Sequence, residues 1–385
     1  MSGTAGPPPA AAPAGRPHLH ADPRRRRARL RRLRTAAQLV TFAVTLAIGA
    51  QFALWVRGLE QGRVAGERPP GVEGFLPISA LISLRDWLLD GEPSRIHPAG
   101  LVIFLLALAS ALLLRKAFCA WICPVGTLVE WLGALGRRLG RRLGRRPDGR
   151  PGRRELRLPR WLDVPLRGIK YLLAGFFVWA VFVQMSPPQL RAFLESPYNK
   201  VADVKMLHFF LHPSPLTVQV LGGLVLLSIV LPFFWCRYLC PYGALLGPLG
   251  SASPLQVTRE PSACIDCHLC TKACPAYLPV STSRRVRSPE CTGCLDCVAV
   301  CPARGALDLA GPRLPGHRGA RGLVRPVVFA LLVLGLFYGG IHAAKLAGFW
   351  HSSVPAAEFQ RRVQELDAPQ YNHFRGRVPE YGPGD

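Results

Sequence analysis

Five long apolar stretches, separated by polar and charged segments, dominate the pattern along the 385-residue chain. A helix that crosses a bilayer needs about 20 mostly apolar residues, and each stretch approaches that length. The pattern therefore predicts a polytopic α-helical membrane protein with five spanning helices. These helices are expected over residues 35–56, 99–114 with an extension to Phe118, 168–185, 216–235 and 326–346.

The basic residues alternate in density across these five helices. The loops and termini predicted on one side hold 34 Lys+Arg and 10 Asp+Glu, and those on the other side hold 12 and 13. Lys and Arg accumulate in cytoplasmic segments. The N-terminus is therefore expected in the cytoplasm and the C-terminus outside it. The first helix could instead be a cleaved signal, but its apolar length of about 22 residues exceeds the signal range and favours an uncleaved anchor.

The formal net charge is +25, which raises the question of a nucleic-acid partner. Nucleic-acid-binding modules combine basic residues with aromatic residues that stack on bases. The arginine run over 24–34 is not accompanied by such a fold. The basic residues are therefore interpreted as topology signals, and the expected partner is the lipid bilayer rather than nucleic acid.

Twelve cysteines fall into four regular clusters. They lie at positions 119, 123, 236, 240, 264, 267, 270, 274, 291, 294, 297 and 301. Disulfide scaffolds are usually short secreted chains, and their cysteines are scattered. The clustering therefore indicates metal ligands, all on the predicted cytoplasmic side.

The pattern C-x2-C-x2-C-x3-C-P occurs twice between the fourth and fifth helices, beginning at Cys264 and at Cys291. It is typical of bacterial two-cluster ferredoxins, in which the fourth cysteine of each run binds the other cluster. Zinc is the alternative, but zinc sites favour Cys pairs separated by a longer spacer. The spacing therefore predicts an inserted α+β ferredoxin-like segment that binds two [4Fe-4S] clusters. The predicted ligands are Cys264, Cys267, Cys270 and Cys301 for cluster 1, and Cys291, Cys294, Cys297 and Cys274 for cluster 2.

A second motif, C-x3-C-P-x-G, follows the second and the fourth predicted helices, at Cys119–Cys123 and at Cys236–Cys240. The two copies are 117 residues apart, so helices 1–2 and 3–4 are expected to form a parallel pseudo-repeat. Together they supply four thiolates, enough for a third cluster or for a soft metal such as copper. The alternative is that these cysteines are small buried residues at helix ends.

These motifs together resemble the NapH/NosR/CcoG group of bacterial inner-membrane iron–sulfur proteins. The stretches 74–79 (GFLPIS) and 97–100 (HPAG) are also similar to that group, especially to the C-terminal half of NosR-type members. The resemblance covers roughly residues 35–355. It implies a short-form electron-transfer protein with an extra C-terminal tail, serving nitrate reductase or nitrous oxide reductase, or reducing copper for oxidase assembly.

Polar residues near the predicted outer interface are candidates for a quinone site. Residues 75–90 are expected to form a short interfacial amphipathic helix. The candidates are Arg85, Glu92 and His97, with Asp86, His208 and His212 nearby. The alternative is interfacial anchoring. Haem is not favoured, because only His342 lies well within a predicted helix.

The chain is expected to divide into seven regions. They are a basic tail (1–34), helices 1–2 with their outer loop (35–118), the first CxxxCP motif with a basic loop (119–167), helices 3–4 with the second motif (168–245), the ferredoxin segment (246–320), helix 5 (321–346) and a periplasmic tail (347–385).

Three functions are compatible with these sequence features. The first is an inner-membrane protein that relays electrons between the quinone pool, or a cytoplasmic donor, and a partner oxidoreductase, as a quinol dehydrogenase-like component would. The second is a copper reductase or assembly factor that uses the CxxxCP thiols. The third is a redox sensor that signals through the state of its clusters, but no recognisable output domain in the sequence supports it.

Overall fold

The computed structural model describes residues 19–20, 22–63, 66–143, 158–313, 321–323 and 325–372, and helices dominate this part of the chain. Most of the predicted basic tail (1–18), the middle of the basic loop (144–157) and the end of the C-terminal tail (373–385) lie outside the described residues. The α-helices are α1 (Pro23–Glu60), α2 (Pro77–Asp90), α3 (Pro98–Leu114), α4 (Phe118–Trp121), α5 (Pro124–Leu143), α6 (Arg160–Trp179), α7 (Pro187–Glu195), α8 (Pro197–Lys200), α9 (Ala202–Leu211), α10 (Pro215–Val230), α11 (Pro241–Ala252), α12 (Leu269–Ala273), α13 (Asp296–Val300), α14 (Pro326–Leu346) and α15 (Ala356–Gln364). The strands are β1 (Gln256–Arg259), β2 (Leu307–Arg313) and β3 (Arg321–Leu323).

Within the described part of the chain, three helices are long and apolar enough to cross a membrane. They cover Arg24–Glu60, Arg160–Gln184 and Pro326–Leu346, and the last coincides with the predicted fifth helix. The second of these continues α6 through a π-helical turn at Ala180–Gln184. The protein is thus mostly helical with three candidate membrane spans.

The other two predicted spans have a different form. The second predicted span corresponds to the apolar helix α3, whose 17 residues extend over only about 26 Å. The fourth predicted span corresponds to α10. This helix follows α9 after a bend of 81°, and only the two helices together reach the length of a span. The helix α10 ends at Val230 rather than at the predicted residue 235, because Pro232 follows and disfavours a continuing helix.

The first helix begins about twelve residues earlier than the apolar pattern predicts. The Asp22 side chain caps it by accepting from the Arg25 backbone N–H at 2.9 Å, and Pro23 occupies its first position. Its arginine-rich turns lie against the ferredoxin segment, where Arg26 pairs with Asp308 and Arg34 pairs with Asp296. The early basic residues therefore belong to a helix that connects the bundle to that segment.

The ferredoxin segment contains a small antiparallel sheet in the order β1-β2-β3. In the β1–β2 register, Gln256 lies opposite Ala310 and Arg259 lies opposite Leu307. The short helices α12 and α13 precede the fourth cysteine of each motif, Cys274 and Cys301. The segment is thus α+β, as expected for the ferredoxin fold.

The two cysteine motifs repeat in backbone conformation as well as in sequence. His268 and Leu295, at equivalent positions 27 residues apart, both adopt positive φ, at 54° and 60°. Asp266 and Gly293 form a second equivalent pair, at 48° and 65°. Both loops therefore fold in the same way around their cysteines.

One continuous apolar core joins this segment to the membrane helices. The buried residues of the core include Trp121 at the end of α4, Phe329 in α14 and Val298 in α13. The rings of Trp121 and Phe329 meet edge to face, with centroids 5.9 Å apart. Helix α1 also packs against α13. We call this end of the bundle the cysteine end.

A separate core occupies the opposite end of the bundle. Helix α15, in the C-terminal tail, packs on α1 there, and Phe359 contacts Trp55 at 5.4 Å between ring centroids. The predicted interfacial helix is α2, and it buries Ala80, Leu81 and Ile82 against α7 in a further apolar cluster. The opposite end is therefore closed by loops and by the tail.

Candidate metal centres

The first cysteine cavity lies beside β1 and α12. It is lined by Cys264, Cys267, Cys270 and Cys301, together with Ala303 and Leu307. Three of the sulfurs come from one loop and the fourth comes from the other motif. The structure thus brings together the four residues predicted for cluster 1.

The second cysteine cavity is lined by the other predicted set, Cys274, Cys291, Cys294 and Cys297. Its remaining walls are largely apolar and include Val257, Leu278, Val280, Val286 and Leu295. Four soft thiolate ligands in an apolar setting are the donor set that iron–sulfur clusters use. Among the described residues, no group of His, Cys, Asp or Glu is arranged around a single metal ion. The residues present therefore fit a cluster in each cavity.

The four CxxxCP thiols come from two locally similar segments. The thiol of Cys123 accepts a hydrogen bond from the Gly126 N–H at 3.4 Å, and that of Cys240 accepts one from the Gly243 N–H at 3.3 Å. In each motif a short helical turn ends just before the proline, and the proline starts a new helix, α5 or α11. Proline is favoured at a first helical position because it lacks the N–H that would be unpaired there.

The structure brings these four thiols from the two motifs into one neighbourhood. Cys119 interacts electrostatically with Cys240, and Cys236 interacts with Cys119, Cys123 and Cys240. Cys119 belongs to α4, and Cys236 belongs to a π-helical turn at Trp235–Leu239. We call this group the CxxxCP site.

Buried cations surround the CxxxCP site, and sequence reasoning did not single them out. Lys170 is fully buried, and its Nζ lies 2.7 Å from both carboxylate oxygens of Glu290. Lys116 is also buried, and its Nζ donates to the Pro289 carbonyl oxygen at 3.3 Å. Both ammonium groups interact electrostatically with Cys119. Charged residues within or beside apolar stretches are the signal that could have identified them.

Arg115, next to Lys116 in the sequence, is a further buried cation. Its guanidinium donates to the carbonyl oxygens of Gly250 at 2.8 Å and Val286 at 2.6 Å. Burying a positive charge costs free energy unless a negative charge lies nearby. Among the described residues Glu290 pairs with Lys170 and lies near Lys116, so an anionic thiolate–metal centre would balance the remaining charge of these two lysines.

Both CxxxCP segments also hold the loops of the second cysteine cavity. The Trp121 indole N–H donates to the Gly293 carbonyl oxygen at 3.2 Å, between two of the cavity's cysteines. Arg237 Nη1 donates to the Ala276 carbonyl oxygen at 3.1 Å, two residues after Cys274. Asp163 in turn fixes Arg237 through two contacts of 2.8 Å. The second cavity therefore faces the CxxxCP site.

The three principal quinone candidates lie in three different settings. Arg85 Nη1 donates to the carbonyl oxygens of Val181 and Met185, where the α6 span ends. Glu92 lines an open polar cavity that also contains Asp90. His97 is buried elsewhere, so the structure does not bring these three side chains together at one cavity.

His97 belongs to a buried ion cluster at the opposite end. Its Nε2 donates to the Asn199 carbonyl oxygen at 2.6 Å, and its Nδ1 lies 3.3 Å from Arg68 Nη2. Arg68 binds Glu73 at 2.6 Å and Asp203 at 2.6 Å, and both carboxylates are fully buried. Burial alone would raise the pKa of Glu73, but Arg68 and His97 together hold that pKa below its ordinary value. These contacts join residues 68–97 to residues 199–203. Of the other polar candidates, His208 contacts Glu60 at 3.1 Å.

Comparisons with known proteins bear on all four cysteine groups. Residues 96–142 and 212–255 match the family described as 4Fe-4S binding domain, and these ranges contain the two CxxxCP motifs. Residues 256–302 match the family described as 4Fe-4S dicluster domain, and this range contains the eight ferredoxin cysteines. No solved structure matches the chain.

Several curated relatives align with much of the chain. The YccM protein of Escherichia coli, whose name assigns it to electron transport, is 40% identical over 342 residues, which is 88% of this chain and 91% of YccM. Protein NirI of Paracoccus denitrificans is 31% identical over 60% of this chain and 32% of NirI. The ferredoxin-type protein NapH of Escherichia coli is 24% identical over 70% of this chain and 85% of NapH. The predicted resemblance is confirmed, and the chain belongs to the NapH/NosR-type family of 4Fe-4S electron transport proteins.

Proposed function

We propose that this protein carries electrons along three iron–sulfur centres in a row, from the first cysteine cavity through the second to the CxxxCP site. The observation that carries the proposal is the pair of hydrogen bonds from Trp121 and Arg237 to the loops of the second cavity. Residues on both sides of the CxxxCP site thus fix its position relative to that cavity.

Iron–sulfur clusters accept and release single electrons, and the protein sets their potential through charge, burial and hydrogen bonds to sulfur. Cys264, Cys267, Cys270 and Cys301 would hold one cluster, and Cys274, Cys291, Cys294 and Cys297 a second. The apolar walls of the second cavity exclude water. At the CxxxCP site, the four thiols would hold the third cluster, and Lys116 and Lys170 would balance its negative charge.

The proposed topology has five spanning helices in a bacterial inner membrane, with the cysteine end in the cytoplasm and the tail in the periplasm. The 34 basic against 10 acidic residues on the cysteine side support this orientation. The matched hydrogen bonds at Gly126 and Gly243 support a pseudo-repeat of the first and second helix pairs.

The electrons would pass between the quinone pool, or a cytoplasmic donor, and a partner oxidoreductase. A quinone site would lie at the opposite end, where Glu92 lines the polar cavity and has the exposure that a substrate-facing group needs. Replacing Glu92 with Gln should then slow quinol-driven reduction of the centres. An unchanged rate would remove this residue from the site.

The decisive experiment measures iron and acid-labile sulfide per chain in anaerobically purified, detergent-solubilised protein, with EPR of the reduced sample. Three clusters predict about 12 Fe, and two predict about 8. The Cys119→Ser/Cys236→Ser variant should lose about 4 Fe while keeping the signals of the ferredoxin pair. About 8 Fe in both proteins would contradict a third cluster. Copper titration of the same two proteins would then test the thiols as a copper site.

A further inference from the structure

The two cysteine loops, although equivalent in backbone, differ in what covers them. In the second loop Leu295 is 1% exposed, and Asp296 pairs with Arg34 at 3.1 Å. In the first loop, the apolar residues Ile265 and Leu269 are each 40% exposed. Large apolar side chains in solvent beside a predicted cluster ligand set indicate a contact surface.

The main helix contact of this exposed loop lies within the ferredoxin segment. The membrane helices contact the second cavity through Trp121 and Arg237, whereas α12, which carries the first loop, packs on α13. Lipid that surrounds the spans is therefore a poor explanation for exposed apolar residues at Ile265 and Leu269.

Exposed cations surround the same loop. Lys272 lies in α12 beside Cys270, Arg304 follows the cavity-lining Ala303, and the Arg284 carbonyl accepts from the N–H of the cavity-lining Arg259. All three cations are exposed. Across the described ranges, none of the three forms an ion pair with a carboxylate. We call Ile265, Leu269, Lys272, Arg284 and Arg304 the distal rim.

The carboxylates near the distal rim are largely occupied by other groups. Asp266 pairs with Arg259 at 2.6 Å, and Asp308 pairs with Arg26 at 3.7 Å. Glu260 is exposed and accepts from Ser262. The rim thus presents an apolar centre and an excess of positive charge, which is the arrangement of small transient interfaces that select partners electrostatically.

We propose that the distal rim docks an acidic, water-soluble electron-carrier protein, with Ile265 and Leu269 at the centre of the contact. The proposal rests on the proposed function, because the rim borders the first cysteine cavity. The proposal places electron exchange with a soluble partner at the first cysteine cavity. Among the three proposed centres, this one is farthest from the CxxxCP site.

The test measures binding of a gallium-substituted, acidic [2Fe-2S]-type ferredoxin to the anaerobically purified, cluster-loaded protein. This probe cannot exchange electrons, so its affinity depends on the surface alone. Wild type should bind it, and raising the salt concentration from about 50 to about 300 mM should weaken binding severalfold. The Lys272→Glu/Arg304→Glu variant should weaken binding about tenfold or more at low salt, and Ile265→Ser should weaken it at every salt concentration.

The matched control is Arg138→Glu, which reverses an exposed charge on α5, away from the rim. It should leave the affinity unchanged. Absence of wild-type binding, affinity that is insensitive to salt, or an equal loss in the control would overturn the proposal.

Two further readouts separate this proposal from its alternatives. Iron and sulfide are measured in every preparation, so loss of clusters in wild type would count against the proposed function and not against the rim. Binding is also compared in nanodiscs of zwitterionic and of anionic lipid. Equal affinity supports a protein partner, whereas loss of binding on anionic lipid would show that the rim lies on lipid headgroups and would overturn the docking proposal.

Discussion

The indole N–H of Trp121 donates a hydrogen bond of 3.2 Å to the carbonyl oxygen of Gly293, which lies 172 residues later in the chain. Both residues are buried. Trp121 lies between the cysteines of a CxxxCP motif, and Gly293 lies between two ligands predicted for cluster 2. This one contact joins two sites that sequence motifs describe separately.

Replacing Trp121 with Phe should weaken that junction. The change keeps an aromatic ring against Phe329 but leaves a buried carbonyl without its donor, which costs about 1–3 kcal/mol. We expect the free energy of unfolding in detergent to fall by that amount. Trp161→Phe is the control, because Trp161 is 76% exposed and its loss should change little. Equal stability of all three proteins would show that the hydrogen bond does not support the fold.

The two glycines of the repeated motif should respond differently to substitution by alanine. A Cβ at position 126 would collide with the carbonyl oxygen of Cys119, whereas one at 243 would lie 3.7 Å from the carbonyl oxygen of Cys236, an ordinary contact. Gly126→Ala should therefore displace the first pair of thiols and lower the iron content by about 4 Fe per chain if they hold a cluster. Gly243→Ala should retain its iron. The measurement is iron per chain, and if wild type holds about 12 Fe, identical values for the two variants would contradict the structure at this motif.

Lys116 should tune whatever anionic centre the CxxxCP thiols hold. Removing a buried positive charge disfavours the reduced, more negative state. Lys116→Met should thus lower the reduction potential of one centre in an EPR-monitored titration. Lys272→Met is the comparison, since that lysine is exposed beside the first cavity and should affect a different signal, and to a smaller extent. A potential that is unchanged in Lys116→Met would remove this lysine as a source of charge balance.

The buried ion cluster at the opposite end predicts an acid-sensitive contribution to stability. The pKa of Glu73 is held below its ordinary value in the folded protein, so its ion pairs stabilise the fold above pH about 4.5. This stabilisation should disappear as the pH falls through the folded-state pKa. The melting temperature of wild type should consequently drop more steeply below pH 4.5 than that of Glu73→Gln, which should already be less stable at pH 7. Parallel pH profiles would contradict an ionised Glu73.

Local patterns in the sequence predicted those parts of the structure that depend on neighbours in the chain. The sequence predicts the fifth helix at 326–346, and it is observed at Pro326–Leu346, because its apolar run begins at a proline after Arg325 and ends shortly before Gly348, which adopts a positive φ. The eight ferredoxin cysteines also group into two cavities as their spacing predicted. In both cases the determining residues lie within about 40 positions of each other.

Long-range contacts could not be read from local patterns. The pairing of Lys170 with Glu290 spans 120 residues, and neither residue belongs to a motif. The ion cluster around His97 also depends on a long-range contact, since Arg68 and Asp203 are 135 residues apart. The sequence favours His97 for a quinone site because a histidine near a predicted interface is a functional signal, whereas its hydrogen bond to Asn199, 102 residues away, has no local signal.

The shared core between α4, α13 and α14 has a consequence for how the ferredoxin segment can be used and inherited. Its second cavity is held by Trp121 and Arg237 from the membrane part, so residues 246–320 alone would leave buried carbonyl groups unpaired and apolar walls uncovered. Such a segment is not a detachable module. It cannot be grafted onto another scaffold, or exchanged for a soluble ferredoxin, without also transferring the helix ends on which it rests.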